Sequence, residues 1–282
     1  MHKRILAVHD ISCIGRCSLT VALPILSAAG IETSVLPTAV LSTHTGNFEG
    51  YTFRDLTDDI SPICNHWRTL GITFESIFTG YLGSHKQIQL VDEIIDNFST
   101  KDTFIMVDPV MGDNGKFYSN LTNDFVYGFR KLCSKAHVIT PNLTEASLLL
   151  DIPYCSNGYT KEYIQNILSK LSELGPEKVV LTGVSFAENE LGCAVYDSKT
   201  KETDFVFEEK VEGVYHGTGD VFSSSLLAAL MNGFSLSAAA AAAVGFTAGA
   251  IRRTKRLGIE SRYGVNFEDG LAEFAIKVKS KK

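Results

Sequence analysis

The sequence predicts an α/β protein built on a central, mostly parallel sheet covered by helices on both faces. Three observations predict it. Short runs rich in apolar and β-branched residues alternate with longer helical patterns along the whole chain. The strand-like runs are apolar nearly throughout, as expected where both faces of a sheet are covered. The residues that follow them are polar or glycine-rich, which puts the candidate chemistry on one rim, beyond the carboxyl ends of the strands.

Residues 4–9 read as a buried strand, and 18–29 as a helix stopped by Gly30. Residues 31–37 form the next strand, and 56–70 a helix ended by Gly71. A short strand at 76–79 leads into an amphipathic helix at 85–98. The strand at 103–107 ends on Asp108-Pro109 and is followed by a helix at 121–133. The strand at 137–140 ends on Pro141-Asn142, with helices at 143–150 and 161–174 beyond it. Residues 178–182 are again a strand, and 192–196 with 203–208 read as a hairpin around a turn-rich centre. Helices at 220–231, 237–254 and 268–278 close the chain. No internal repeat and no linker interrupts this order.

The chain has 282 residues, 45% of them hydrophobic, which suffices for a full core and allows one large domain or two smaller ones. Its net charge is −6, and its pI is near 5.7. That balance argues against nucleic acid as the main partner, since phosphate neutralisation needs a basic face. The four lysines after residue 276 read as a solvated helix end. Six scattered cysteines, with no zinc spacing, suggest free thiols in a reducing compartment, and the short apolar run at the N-terminus does not suit a signal peptide. These features predict a cytoplasmic protein. Residues 226–251 carry no charge, but Asn232-Gly233 divides them and much of the rest is alanine. Two closely packed helices are expected there, and no membrane span.

The sharpest motif is His216-Gly217-Thr218-Gly219-Asp220, running into an apolar helix. Glycines let the backbone turn tightly and present successive N–H groups, and a helix N-terminus binds anions. Asp220, in the first turn, could take a proton from a hydroxyl attacking a phosphoryl group held there. The same residues equally suit an ordinary helix cap. Asp108, Asp113 and Glu145 follow adjacent strands. Clustered carboxylates beside a phosphate site suit a partly hydrated magnesium, although single aspartates in such loops more often cap or solvate. The chain lacks G-x-x-x-x-G-K-[ST], the protein-kinase motifs, G-x-S-x-G and a dinucleotide fingerprint after its first strand. His9 ends a strand and reads as a buried, hydrogen-bonded histidine.

Together, Gly217-Thr218-Gly219-Asp220, Asp108-Pro109-Val110-Met111-Gly112-Asp113 and Pro141-Asn142-Leu143-Thr144-Glu145 resemble the ribokinase-like superfamily. Ser42-Thr43-His44-Thr45-Gly46 and Gly80-Tyr81-Leu82-Gly83-Ser84 resemble its vitamin B6 kinase branch. The resemblance runs from the first strand to about residue 250. It implies one domain over residues 1–282, commonly a homodimer, that transfers the ATP γ-phosphate to the 5′-hydroxymethyl of pyridoxal, pyridoxine or pyridoxamine. It implies Asp220 as base, and an anion hole from the Gly217 and Gly219 backbone. Asp113 and Glu145 would hold Mg2+. Asn142, Glu145, Thr182, Gly183 and Thr218 would face the nucleotide, with Asp108 near its phosphates. Thr45 and Tyr81 would line the pyridine pocket, and a monovalent cation such as K+ stimulates many relatives.

The chain departs from that pattern at Asp10, where such kinases tend to have Ser. A carboxylate there would pair with a protonated ring nitrogen, accept from the 3-hydroxyl, or favour the cationic amine of pyridoxamine; or it would merely cap the next helix. Three rival readings stay open: a hydroxymethylpyrimidine kinase of the same fold, a sugar or nucleoside kinase, and a non-catalytic B6- or nucleotide-binding protein. Sugar kinases carry a lid sheet that the sequence does not reveal here. Residues 112–120 and 210–216 are the candidate lid loops.

Overall fold

The computed structural model of the chain describes residues 3–118 and 121–280. Lys281 and Lys282, which end the lysine run, and Ser119 and Asn120, which end one lid candidate, lie outside the described residues, as do Met1 and His2.

The elements follow in order: β1 (Arg4–Ile14), α1 (Leu19–Ala28), β2 (Glu32–Thr43), β3 (Phe53–Asp55), α2 (Thr57–Thr69), β4 (Ser76–Thr79) and α3 (His85–Phe98). Then come β5 (Phe104–Val107), β6 (Gly112–Asp113), β7 (Lys116–Phe117), α4 (Asn123–Lys135), β8 (Val138–Ile139), α5 (Leu143–Leu150) and α6 (Lys161–Ser172). The chain ends with β9 (Lys178–Val184), β10 (Glu190–Asp197), β11 (Glu202–Glu209), α7 (Thr218–Met231), α8 (Leu236–Arg256) and α9 (Leu271–Lys279).

Nine strands form one sheet in the order β11-β10-β9-β8-β5-β4-β1-β2-β3. From β9 through β2 every pairing is parallel; β10, β11 and β3 add antiparallel edges. Successive strand residues point to opposite faces. Ile5, Phe78, Met106, Val138 and Val180 pack on one side against residues of α1, α7, α8 and α9. Their neighbours Leu6, Ile77, Val107, Ile139 and Leu181 pack on the other against α3, α4, α5 and α6. Both faces are dry, which explains the nearly continuous apolar runs. Each such side chain contributes roughly 1.5–3 kcal/mol by burial.

Several boundaries differ from expectation. β1 continues to Ile14, so Asp10 and Ser12 lie within the strand. Beyond Val8 it no longer pairs with β4, and its register with β2 shifts between His9 and Ile11. β2 likewise extends to Thr43, and Pro37 is tolerated because β3 pairs only with Ala39–Leu41. The segment at 268–270 is a 3-10 turn, and α9 starts after it. The uncharged stretch forms α7 and α8, with Asn232 capping α7, and buried alanines such as Ala239, Ala240 and Ala243 allow close approach. Among the described residues, no helix is long and apolar enough to cross a membrane.

Candidate active site

The N-terminus of α7 sits on the strand-end rim. Gly217 is its cap residue, with φ 73°, and a Cβ there would fall 2.0 Å from the carbonyl oxygen of Arg16. Only glycine suits this position. At Gly219 a Cβ would meet nothing within 4 Å, so that side of the first turn is open to a ligand. Among the described residues no side chain caps the helix, which leaves its first N–H groups for an anion. Thr218 turns its hydroxyl inward, donating to the Tyr215 carbonyl at 3.4 Å.

Asp220 is half-buried. Burial, helped by the charge of Asp10, pushes its carboxyl up to about 7, against the pull of a Ser18 backbone hydrogen bond. A carboxylate at that poise changes protonation near neutral pH, which suits a general base.

Asp10 is buried on β1 and accepts from the Ser18 hydroxyl at 2.5 Å. It does not cap α1: the cap residue is Ser18, with φ 57°, and Ser18 makes no side-chain cap bond. Burial pushes the Asp10 carboxyl up, and hydrogen bonds from Ser18 and Ser12 oppose it. Tyr81 lies in the same field. Burial raises its hydroxyl pKa first, and the charge of Asp10 adds to that. Asp10 is therefore close enough to Asp220 and to Tyr81 for its charge to act on both. Thr45 stands exposed just past the end of β2, beside the buried His44.

The second group is tighter. Asp108, just after β5, is buried and accepts from the Ser223 hydroxyl of α7 at 2.7 Å. Burial, with the charge of Asp220, raises its carboxyl to about 7, while Ser223 and Thr140 hold it down. Glu145, in the first turn of α5, is also buried, and burial plus the charge of Asp108 pushes it well above the carboxylate range. It forms a capping box with Asn142, accepting from the Asn142 N–H at 2.8 Å, and its other oxygen accepts from the Met111 N–H at 3.1 Å. Asp113 is exposed and bonded to Asn114. Among the described residues no three His, Cys, Asp or Glu side chains stand close enough to form a metal cage. Two buried carboxylates that repel each other, with Asp220 and Asp113 nearby, nevertheless fit a largely hydrated divalent cation, which needs few direct ligands. Glu145 would reach it through water, because both of its oxygens are already engaged.

On the nucleotide side, Asn142 and Thr182 are paired by an isolated parallel bridge. The Asn142 amide donates to the Gly112 carbonyl at 2.9 Å, and its oxygen accepts from the Glu145 N–H at 2.9 Å. Its side chain thus braces the loop. Gly183 has φ 76° and open space around it.

Other residues of the site carried little or no signal. Ser18 and Ser223 position the carboxylates of Asp10 and Asp108. Tyr118 is raised first by burial and then by Glu145, Asp113, Asp108 and Asp220, so its hydroxyl lies in the field of all four carboxylates. It follows a two-stranded ribbon, β6–β7, whose turn at Asn114-Gly115 has positive φ at both residues. That dipeptide is a hairpin signal. His44 donates from Nε2 to the Arg262 carbonyl at 2.5 Å, and its Nδ1 accepts from the Gly46 N–H at 3.1 Å. His9 is buried against Phe78 as expected, but neither ring nitrogen has a partner among the described residues. Burial pushes its pKa down to about 3.

A parallel sheet covered on both faces, with an uncapped glycine-led helix and an aspartate at the rim, is the architecture of the ribokinase-like fold. The chain belongs to the phosphomethylpyrimidine kinase family, whose match covers residues 55–265. It is 42% identical to a candidate phosphomethylpyrimidine kinase from Bacteroides thetaiotaomicron, with TM-score 0.93 over 96% of this chain and 93% of that one. An orthorhombic form of a candidate phosphomethylpyrimidine kinase from the same organism was solved with pyridoxal; it is 40% identical, with TM-score 0.91 over 98% of this chain and 96% of that one. Pyridoxal kinase from Lactobacillus plantarum is 29% identical, with TM-score 0.90 over 99% of this chain and 98% of that one. A candidate pyridoxal kinase of Schizosaccharomyces pombe is 28% identical over 70% of this chain, and the match spans 58% of that protein's length.

Proposed function

We propose that the chain is an ATP-dependent kinase that phosphorylates the 5′-hydroxymethyl group of vitamin B6. The observation that carries this reading is Asp220. Its carboxyl is raised to about 7 in the first turn of an uncapped helix, behind a glycine whose Cβ would strike the Arg16 carbonyl. The similarity to a pyridoxal kinase and to a protein solved with pyridoxal supports the substrate class.

In this reading the vitamer lies against Asp10, Tyr81 and Thr45 with its hydroxymethyl directed at Asp220. Asp220 removes the hydroxyl proton as the oxygen attacks the γ-phosphorus, and the Gly217–Gly219 backbone stabilises charge on the transferring group. Asn142, Thr182, Gly183 and Thr218 border the ATP phosphates. Asp108, Asp113 and Glu145 would hold Mg2+, chiefly through water; magnesium supplies neutralisation of phosphate charge. A monovalent cation such as K+, a homodimer, a single kinase domain over residues 1–282 and a cytoplasmic setting complete the proposal.

A second reading follows from the family's own description: phosphorylation of a hydroxymethylpyrimidine by the same machinery. Turnover of ATP by the purified chain with pyridoxal, pyridoxine, pyridoxamine and hydroxymethylpyrimidine, with and without magnesium, tests both. Magnesium-dependent phosphorylation of a B6 vitamer is expected. Turnover with the pyrimidine alone would move the substrate class, and no turnover with any of the four would leave a binding protein or a sugar kinase.

A further inference from the structure

A cleft of about 600 Å³ opens between α8 and α9, and none of the rim residues lines it. Its charge is one-sided. Arg252, Arg253 and Arg256 of α8 and Lys277 of α9 line it, with Glu273 the one carboxylate of the lining. Arg252 is already engaged with Glu208 at 3.2 Å.

Arg253 is the unusual member. Its Nε donates to the Asn266 carbonyl at 3.0 Å, which fixes the guanidinium. Its Nη2 is buried without a hydrogen-bond partner among the described residues. Glycines make room for it: a Cβ at Gly270 would fall 2.4 Å from Nη2, and one at Gly249 would fall 3.2 Å from Nη1. Burial, together with the charges of Arg256 and Arg252, pulls the Arg253 pKa down, against Asp269 and Glu273. Favourable placement of cations at a helix C-terminus accounts for Arg256 in the last turn of α8. It does not account for Arg253, whose guanidinium is fixed by the Asn266 carbonyl and lies against Gly249 and Gly270 of the cleft lining.

We propose that this cleft is a binding site for a small phosphate-bearing anion, held by the Arg253 guanidinium and by Arg256 and Lys277. Guanidinium groups match phosphate oxygens in paired hydrogen bonds, and an ammonium adds a compact charge. A volume of about 600 Å³ exceeds what one phosphate fills and lies in the range of small-molecule sites. The ligand is therefore a phosphate ester with an organic body. This site is independent of the kinase reading.

The test is calorimetric titration of the full chain with inorganic phosphate and with phenyl phosphate, at low and high salt. A non-hydrolysable ATP analogue and magnesium are kept saturating, so that the α7 N-terminus is occupied. Wild type is expected to bind phenyl phosphate more tightly than inorganic phosphate. Arg256→Ala/Lys277→Ala, at two exposed positions, is expected to weaken that binding at least ten-fold while turnover stays unchanged; Arg253→Ala should abolish it. Binding unchanged in the double variant, or absent from wild type, overturns the proposal. So does a fall in molecular mass by light scattering in the double variant, which would make the cleft a subunit contact.

Discussion

Ser223 donates to Asp108 at 2.7 Å from one turn beyond Asp220 on the same helix. The bond ties the end of β5 to α7 and sets the spacing of two carboxylates that would otherwise move apart. Both are raised to about 7, mainly by burial. Ser223→Ala removes a donor that lowers the Asp108 pKa and leaves a buried carboxylate oxygen short of a partner. A loss of about 1–3 kcal/mol is expected in urea unfolding at pH 8. At pH 5, where Asp108 is protonated, the loss should shrink; an equal loss at both pH values would exclude this electrostatic account.

Asp220→Asn separates chemistry from stability. General-base catalysis contributes on the order of 10²–10⁴-fold, and kcat should fall by at least that lower figure. The folded-state pKa is raised above the usual 3.8, so the native state binds more protons than the unfolded chain between about 4 and 7. Stability contributed by this group is present at low pH and is lost as pH rises through about 7. Asp220→Asn should therefore be as stable as wild type, or more stable, at pH 8. Near-wild-type kcat would remove Asp220 from the role of base.

The two glycines of the motif should behave differently. Gly217→Ala puts a Cβ 2.0 Å from the Arg16 carbonyl, at φ 73°. The variant should be clearly destabilised, by more than the ~1 kcal/mol that a left-handed alanine alone costs. Gly219→Ala meets nothing and sits within the helix, so melting temperature should hold or rise, since alanine gains about 1 kcal/mol over glycine there. Its turnover should still fall, because the methyl occupies the face open to phosphate. Full activity in Gly219→Ala would place the phosphoryl group elsewhere.

The residues explain which parts of this were legible. The elements at 76–79, 85–98 and 143–150 fall where the sequence puts them: the helix at 85–98 is cleanly amphipathic, and the helix at 143–150 starts at the Asn142–Glu145 capping box. The ends of β1 and β2 were missed because their extensions carry Asp10, Ser12, Thr38 and Thr43, polar residues that the fold buries or half-buries. β3 is three exposed residues, of which only Phe53 is apolar, too short a run for a strand signal. The β6–β7 ribbon was missed, although Asn114-Gly115 at its turn is the one local signal that could have marked it. Asp220 and Gly217 were readable because the motif is local. Ser223 on Asp108 spans 115 positions, and His44 is held by a backbone carbonyl, to which every residue type contributes alike.

The pH profile of kcat/KM follows from the same raised carboxyls. Asp220 must be ionised to accept a proton, and its pKa is about 7. Activity should rise with pH through a midpoint near 7 and flatten above it. The positive charge of bound magnesium favours the ionised form of the nearby Asp220 carboxyl, so higher magnesium should move the midpoint down. A rising limb centred near 4, independent of magnesium, would mean that the base is a carboxylate in ordinary solvent.

Asp10 supplies the test of substrate choice. Its carboxylate is buried, held by the Ser18 hydroxyl at 2.5 Å, and placed in the same field as Tyr81 and Asp220. A buried charge of this kind is stabilised by a cationic partner. Of the three vitamers, pyridoxamine alone brings a cationic amine. Asp10→Ser removes the charge and makes the side chain smaller. It should lower kcat/KM for pyridoxamine by about ten-fold more than for pyridoxal, equivalent to about 1.4 kcal/mol of selective binding, mostly through KM. Removing Asp10 also removes a charge that raises the Asp220 pKa, so the pH midpoint with every vitamer should shift down slightly. A uniform loss across all three vitamers, with the midpoint unmoved, would assign Asp10 to holding Ser18 at the start of α1 and to nothing else.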